Sequence, residues 1–463
     1  MLAYVLLALV PYTAVPALLL TEDPIPHLIR RIAIPASVGF FFNTMFNFVD
    51  TYFAGCISTD AQAALSLSFP VFMIVIATGS GIGQGSTALI SNALGAGEVE
   101  KSRVYLAQAL IFAIAASLVL TLGGWLAAPS LFRLLGAHGL YLQISLDFMN
   151  WILAGSVFFL LQMTLNAVLN AKGETRVFRN ALIGMFVLNC ALDPWFLYGG
   201  LGLPAMGIAG IAIATVVAQI LGCAYMFHYV RRSDLWHGVT RASLRPNGHV
   251  LREIMQQAFP ASLNMLTVAL GIFVITWYAS RFGTQGVAAY GIATRIEQMV
   301  LLPTIGLNFA VLALVGQNNG ARRMDRVRSS WLTTLKYGLA MMLAGGVILV
   351  TLRGPLMRIF TQDAGVIQLG ANYLLAASLT LCAYVILFQT VYMLQGLKKP
   401  MYGMWIGIYR QIVAPVLVFQ GLAFTLGWGL WGIWWGVCVV TWSAALFTVA
   451  YGVVVLRARM REV

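Results

Sequence analysis

Residues 364–397 read AGVIQLGANYLLAASLTLCAYVILFQTVYMLQGL, a stretch without a single charged side chain. A helix crosses a bilayer with about 20 predominantly apolar residues, so this stretch is long enough to span a membrane. Its apolar residues run continuously rather than alternating, which favours a helix over a strand of a membrane barrel. Similar charge-free stretches recur along the chain, at 61–97, 104–132, 148–171, 194–230, 254–280 and 411–456.

Composition places the whole chain in the same class. Hydrophobic residues make up 60% of the 463 positions and charged residues only 9%, whereas soluble domains carry about a quarter charged residues. We therefore predict an all-α integral membrane protein with twelve transmembrane helices. The spans fall near residues 32–57, 61–93, 104–128, 141–165, 177–199, 205–230, 256–282, 286–316, 330–352, 366–394, 402–425 and 429–455.

The net charge of +13 is distributed unevenly between the two sides of this topology. The chain ends and the even-numbered loops carry most of the Lys and Arg residues, among them Arg103, Arg241 and Arg328. The odd-numbered loops carry only Arg133, Arg281, Arg353 and Arg358. By the positive-inside rule, both termini and the even-numbered loops are expected in the cytoplasm. The excess of Lys and Arg is thus explained by membrane topology, and no nucleic acid partner is expected.

The chain repeats itself at an offset of 225 residues. Three separated matches share this offset: IPAS at 34–37 with FPAS at 259–262, the basic turn 95–103 with 320–328, and LG at 201–202 with LG at 426–427. The offset contains an even number of spans, so both copies enter the membrane in the same direction. We expect a pseudo-twofold axis along the membrane normal, with a cavity between the copies.

The repeat divides the chain into five parts. They are an apolar extension 1–25, an N-lobe 26–230 with spans 1–6, a polar and basic linker 231–252, a C-lobe 253–456 with spans 7–12, and a tail 457–463. The extension is left unassigned, because an interfacial segment, a further span and an artefact of the chosen start codon all fit its sequence.

The chain resembles the multidrug and toxic compound extrusion (MATE) transporters over roughly residues 26–455. The resemblance rests on five motifs in order: NFVDT (47–51), LGAG (94–97), NCALDP (189–194), GIAIAT (210–215) and RIE (295–297). It implies two pseudo-symmetric six-helix lobes around a V-shaped central cavity, and alternating access as the mode of transport.

Two acidic residues lie within the predicted spans at similar depth. At 1.5 Å per residue, Asp50 lies about 28 Å along its helix from Arg31, and Asp193 lies about 21 Å from Arg179. Asn189 is one turn from Asp193 on the same helix face, and Thr215 lies about 15 Å below the outer face by the same rise per residue. An ionised Asp is costly inside a membrane, so a functional role is expected.

Carboxylate, amide and hydroxyl oxygens suit a proton or Na⁺, so Asp50, Asn189, Asp193 and Thr215 are predicted to bind the coupling ion. The alternative is that these groups only join helices by hydrogen bonds. In the family that the chain resembles, the matching positions form the ion site of the N-lobe.

Other polar residues and prolines complete the candidate set. Asn43 and Asn47 precede Asp50 at helical spacing and are predicted to line the cavity and contact substrate. Pro35 and Pro194 are predicted hinges because each removes a backbone donor, although kinks that only shape the bundle fit equally well.

The second half lacks the acids that NorM-like members of the family place in spans 7 and 10, since none lies at 254–296 or at 364–461. The chain therefore resembles the DinF-like branch, with coupling in the N-lobe. Arg295 and Glu297 in span 8 are interpreted as a structural ion pair or a tie to backbone carbonyls. Lys336 and Arg410 are expected to extend towards the cytoplasmic surface.

The predicted function is a secondary-active exporter of organic cations or drugs in the inner membrane, driven by H⁺ or Na⁺. It would act as a monomer on small molecules and need no cofactor. The alternative is a flippase for lipid-linked oligosaccharides, since related families share the two-lobed arrangement. A membrane-embedded enzyme is disfavoured because the sequence contains no His-rich metal motif and no nucleophile elbow.

Overall fold

In the computed structural model, residues 19–200 and 202–462 are described, and they form twelve helices that are long and apolar enough to cross a membrane. This confirms the predicted all-α class and the number of spans. The helices are α1 (Ile25–Ile57), α2 (Thr59–Gly95), α3 (Val99–Leu134), α4 (Gly139–Ala171), α5 (Thr175–Tyr198), α6 (Gly207–Arg231), α7 (Gly248–Ser280), α8 (Thr284–Gly320), α9 (Met324–Arg358), α10 (Ala364–Gly396), α11 (Met401–Thr425) and α12 (Leu430–Arg461).

Most helices extend beyond the apolar stretch that predicts them. α3 covers Val99–Leu134 where the apolar pattern predicts 104–128, and α1 begins at Ile25 rather than near residue 32. The extra turns carry charged side chains such as Lys101, which forms an ion pair with Glu98. Hydropathy marks the part of a helix inside the bilayer, whereas the backbone stays helical into the polar boundary. Of the predicted extension 1–25, residues 1–18 lie outside the described residues.

The connections that follow α2, α4, α8 and α10 lie on the same side of the helix bundle as residues 19–24 and the end of α12, and we call this the basic side. Four residues with positive φ end these helices: Gly97 and Gly173 in the N-lobe, and Arg322 and Lys398 in the C-lobe. Each C-lobe residue stands 225 positions after its N-lobe counterpart. The turns are left-handed helix caps, which glycine adopts most easily, so the C-lobe keeps the geometry with less favourable residues.

Each lobe has its own apolar core. Leu169, Phe178 and Met226 belong to the core of the N-lobe, and Tyr290 and Trp434 belong to that of the C-lobe. The two lobes meet along α1 and α2 on one side and α7 and α8 on the other. The inter-lobe hydrogen bonds cluster on the basic side.

The segment that precedes α1 is held by the C-lobe. Arg326 in α9 donates hydrogen bonds from Nη2 to the carbonyl oxygens of Asp23 (2.7 Å) and Leu20 (3.4 Å). Arg323 donates to the carbonyl of Thr21 at 2.7 Å. These bonds tie the start of the N-lobe to the opposite lobe on the basic side.

The linker 231–252 is packed against α3 of the N-lobe. Gln108 Nε2 donates to the carbonyls of Ser243 and Arg245, both at 2.8 Å, and Gln108 Oε1 accepts from the backbone N–H of Asn247 at 2.9 Å. Asn247 then caps the N-terminus of α7 through its side chain. A buried glutamine thus fixes the linker to the N-lobe up to the first residue of the next span.

Two short π-helical segments, Tyr409–Val413 and Gln420–Thr425, interrupt α11. Pro415 lies between them and lacks the N–H that a regular helix would use. Such segments often occur at functional sites. The first one carries Arg410, a buried charged residue of the C-lobe.

Candidate coupling site

Asp50 lies on the face of α1 that packs against α5 and α6. The polar residues of α1 separate in the structure: Asp50 is buried, Asn43 is half-buried and Asn47 is exposed. Asn47 Nδ2 donates to the carbonyl of Asn43 at 2.8 Å. A spacing of i, i+4, i+7 keeps the three side chains within about 60° of one another, with Asp50 and Asn47 at opposite edges. Asp50 therefore enters the lobe while Asn47 stays outside.

Asn189 on α5 connects the two acids. Its Nδ2 donates to Asp50 Oδ1 at 3.0 Å and to Asp193 Oδ1 at 2.9 Å. Asn189 and Asp193 are fully buried, and they lie one turn apart on the same face of α5. One amide therefore holds both carboxylates in a single cluster.

Thr215 on α6 completes the cluster. Its Oγ1 contacts Asp50 Oδ2 at 3.3 Å and the carbonyl of Ile211, one turn earlier, at 3.0 Å. Gly210 allows α6 to approach α5, because a Cβ at this position would lie 2.7 Å from the carbonyl oxygen of Phe196. We call Asp50, Asn189, Asp193 and Thr215 the acidic cluster; three helices supply its four side chains.

The acidic cluster leaves two buried oxygens free. Asp193 Oδ2 and Asn189 Oδ1 have no hydrogen-bond partner among the described residues. Burying polar atoms without a partner is costly, so such atoms in a native fold require an explanation. Together with the two carboxylates they offer hard oxygen atoms, which can hold a proton or a small hard cation.

The two prolines predicted as hinges lie inside continuous helices, Pro35 in α1 and Pro194 in α5. Pro194 directly follows Asp193, so α5 lacks the backbone N–H that would bond to the carbonyl of Cys190. Pro35 is buried and lies about four turns from Asp50 along α1.

The repeat shows that the acidic cluster belongs to one lobe only. The positions 225 residues later are Ile275, Ala414, Val418 and Val440, all apolar. The same fold unit therefore carries the ionisable cluster in its first copy and none of these groups in its second.

The C-lobe holds a different buried cluster, and it corrects the predicted pairing of Arg295 with Glu297. Glu297 is buried and accepts a hydrogen bond at Oε2 from the Tyr373 hydroxyl at 2.7 Å, whereas Arg295 is exposed. Residues two positions apart on a helix point to different faces, so the pair could not form.

Arg410 is a buried charged residue of the same lobe, and among the described residues no ion pair within 4 Å joins it to Glu297. The prediction that it extends to the membrane surface is wrong, because the side chain is buried and lies over the rings of Tyr384 (5.4 Å) and Phe388 (5.5 Å). An arginine held by ring faces is a cation–π arrangement. Sequence reasoning missed Tyr373 and Tyr384, since tyrosine within an apolar span gives no distinct signal.

Comparison with known proteins identifies the family. The MatE family profile matches residues 35–195 and 260–419. The chain belongs to the MatE family, a family of membrane transporters. The two matches begin 225 residues apart, which is the offset of the internal repeat.

The MatE relatives cover nearly the whole chain. The FAD transporter of Shewanella oneidensis is 27% identical over 402 residues, which are 85% of this chain and 87% of that protein. The multidrug export protein MepA of Staphylococcus aureus (strain NCTC 8325 / PS 47) is 24% identical over 437 residues, 92% and 93% of the two chains. A multidrug resistance MATE family transporter solved in an outward-facing conformation has a TM-score of 0.89 at 24% identity, covering 97% of this chain and all of that one.

Proposed function

We propose that this MatE protein is a secondary-active multidrug exporter of the inner membrane, and that the acidic cluster binds the coupling ion. The observation that carries the proposal is the joining of Asp50 and Asp193 by Asn189 inside the N-lobe, with two buried oxygens left free. Two carboxylates in one apolar environment cannot easily both remain charged, so the cluster takes up a proton or Na⁺. That ion is carried inward in exchange for the drug, and no cofactor is needed.

Exchange requires that ion and drug bind antagonistically. An ion at the acidic cluster neutralises the charge that attracts an organic cation, whereas loss of the ion restores it. One charge that enters down 100 mV supplies about 2.3 kcal/mol, which can drive accumulation of drug against a gradient. Access alternates between the two sides, and Pro35 and Pro194 are the proposed hinges because each weakens its helix close to the lobe interface or the cluster.

The proposed substrates are organic cations and drugs. The exposed side chains of α1 combine a polar residue, Asn47, with the aromatic residues Phe48 and Tyr52, which suits amphipathic molecules. The two carboxylates favour cations, and MepA is named a multidrug export protein. The FAD transporter shows that a relative carries a nucleotide, so FAD is the control substrate in a transport assay.

The absence of acids from residues 254–296 and 364–461 supports the DinF-like branch. We further propose that the chain acts as a monomer, since one chain supplies the whole acidic cluster.

Transport by purified protein in liposomes tests the proposal. With a lipophilic cation inside, an inward gradient of H⁺ or of Na⁺ should accelerate efflux several-fold over the same liposomes without a gradient. The gradient that works identifies the ion, and FAD in place of the cation tests the other substrate class. If neither gradient accelerates cation efflux from liposomes that hold folded protein, the chain is not an ion-coupled exporter of cations.

The proposed orientation places the basic side in the cytoplasm, with both chain ends. In a variant without the five native cysteines, single cysteines at Arg103, Arg241 or Arg328 should resist impermeant thiol reagents in intact cells. They should react after the cells are opened. A cysteine at Tyr198, an exposed residue at the opposite end of α5, is the control that should react from outside. Labelling of all three basic positions in intact cells would reverse the topology.

A further inference from the structure

Two side-chain amides on the basic side cap helices that belong to the opposite lobe. Asn92, near the end of α2, donates from Nδ2 to the carbonyl of Gly396, the last residue of α10, at 2.8 Å. Gln317, near the end of α8, donates from Nε2 to the carbonyl of Ala171, the last residue of α4, at 2.7 Å. Carbonyls in the last turn of a helix lack an intrahelical partner. Each amide therefore satisfies a helix end that its own lobe leaves open.

The two bonds are copies of one another. Gln317 stands 225 positions after Asn92, and Gly396 stands 225 positions after Ala171, so the pseudo-twofold axis exchanges the two donors and the two acceptors. Asn92 also accepts at Oδ1 from Nδ2 of Asn319, again across the lobes. The acidic cluster occurs in one lobe alone, whereas this arrangement is built equally by both.

Glycines bring the two lobes close enough for these bonds. A Cβ at Gly95 would lie 1.8 Å from the carbonyl oxygen of Gln317, and a Cβ at Gly320 would lie 2.0 Å from that of Asn92. These two glycines are themselves repeat counterparts. No side chain fits between the helix ends, so the amides reach across only while the lobes are in direct contact.

A second pair of glycines lies further into the membrane. A Cβ at Gly81 would lie 2.0 Å from Oγ of Ser262, and one at Gly306 would lie 2.3 Å from Oγ of Ser37. These pairs also differ by 225 positions. The closed region of the lobe interface therefore extends from the basic surface to about four turns along α2 and α8, and it is symmetric throughout.

We propose that Asn92 and Gln317 are positioning residues that form a reversible latch, which holds the lobes closed on the basic side and opens once in each transport cycle. The inference rests on the alternating exchange of the proposed function. The bonds join lobes and not helices of one lobe, so opening breaks them together without unfolding either lobe. The freed amides and carbonyls lie at helix ends next to polar turns, where water can replace the lost partners.

Distance measurements between two spin labels test the latch directly. Glu100→Cys and Asp325→Cys, in a variant without native cysteines, place labels at exposed counterpart positions in the first turns of α3 and α9. Distances are recorded without drug and without an ion gradient, so the result does not depend on coupling. Gln317→Ala should raise the ratio of open to closed molecules by roughly fivefold, the value of one ordinary hydrogen bond. Asn92→Ala should raise it further, because it removes two hydrogen bonds between the lobes. The double variant should raise it further.

The matched control is Gln389→Ala. Gln389 is a buried amide that donates to Asn308 Oδ1 at 3.0 Å within the C-lobe, so its loss should leave the distances unchanged. If Asn92→Ala does not fold, Gln317→Glu removes the donor at a half-buried position without changing the size of the side chain, and it should open the basic side in the same way. Unchanged distances in folded latch variants, or an equal shift in Gln389→Ala, would overturn the latch and leave the exporter proposal standing.

Discussion

Replacing Asp50 or Asp193 with Asn should reduce gradient-driven efflux to the level of protein-free liposomes, while the protein still folds and inserts. Asn has nearly the shape of Asp but cannot bind or release a proton and carries no charge. The hydrogen bonds from Asn189 end on carboxylate oxygens, and an amide oxygen can accept them. Each variant should therefore still bind a lipophilic cation weakly. Efflux and fluorescence-detected monodispersity, measured on the same preparations, separate loss of coupling from loss of folding.

Two further variants should reduce gradient-driven efflux to different extents. The double variant Asp50→Asn/Asp193→Asn should be little worse than either single one, because the acids act as a unit. Thr215→Val should cost only about three- to tenfold, since Thr215 supplies one long hydrogen bond of 3.3 Å that water can replace. Near-normal efflux by both single Asp variants would place coupling elsewhere, with Arg295 and Glu297 as the next candidates.

Glu297→Leu should lower the stability of the C-lobe by about 1–3 kcal/mol, because it leaves the buried Tyr373 hydroxyl without its hydrogen-bond acceptor. The substitution also removes a negative charge from the lobe that holds the buried Arg410. The expected observations are a lower melting temperature and a smaller yield of folded protein. Ligand-free thermal unfolding in detergent measures the change.

The control is the paired variant Glu297→Leu/Arg410→Met, which removes both charges. The stability that it recovers over Glu297→Leu measures the interaction between the two charges. Glu297→Gln should reduce yield or stability more than transport per folded molecule, because it removes a buried charge from the C-lobe and leaves the acidic cluster intact. A well-folded Glu297→Gln protein without ion-driven transport would instead make Glu297 a coupling residue.

The number of spans follows from the sequence because each span is a property of a single helix, and the repeat follows from matching the two halves of the chain. A charge-free stretch such as 364–397 is long and apolar enough to predict a membrane span, whichever helices surround it. The apolar pattern does not predict where a helix ends. α3 reaches Leu134 where the pattern predicts an end near residue 128, because lipid thickness limits the apolar part and not the helix.

The depth of Asp50 and Asp193 can be estimated from the helix rise, and the structure places these residues together with Asn189 and Thr215. Sequence spacing could not show that Asn189 donates to both acids, because that bond depends on the rotation of α1 against α5. For Arg295 and Glu297 the two-residue spacing argues against a pair, and the hydrogen bond to Glu297 comes from Tyr373 in α10. The cross-lobe bonds of Asn92 and Gln317 involve backbone carbonyls, which carry no sequence signal.

Whether the acidic cluster couples ion binding to drug binding can be tested most directly with purified protein. The affinity for a fluorescent organic cation is measured at rising concentrations of the coupling ion. If ion and drug bind antagonistically at linked sites, the affinity of the protein for the drug must fall as the ion concentration rises. The dissociation constant of the wild-type protein should rise with the concentration of H⁺ or Na⁺, whichever drives efflux. In Asp50→Asn and Asp193→Asn it should be independent of that ion. An ion dependence that persists unchanged in both variants would contradict the assignment of coupling to the acidic cluster.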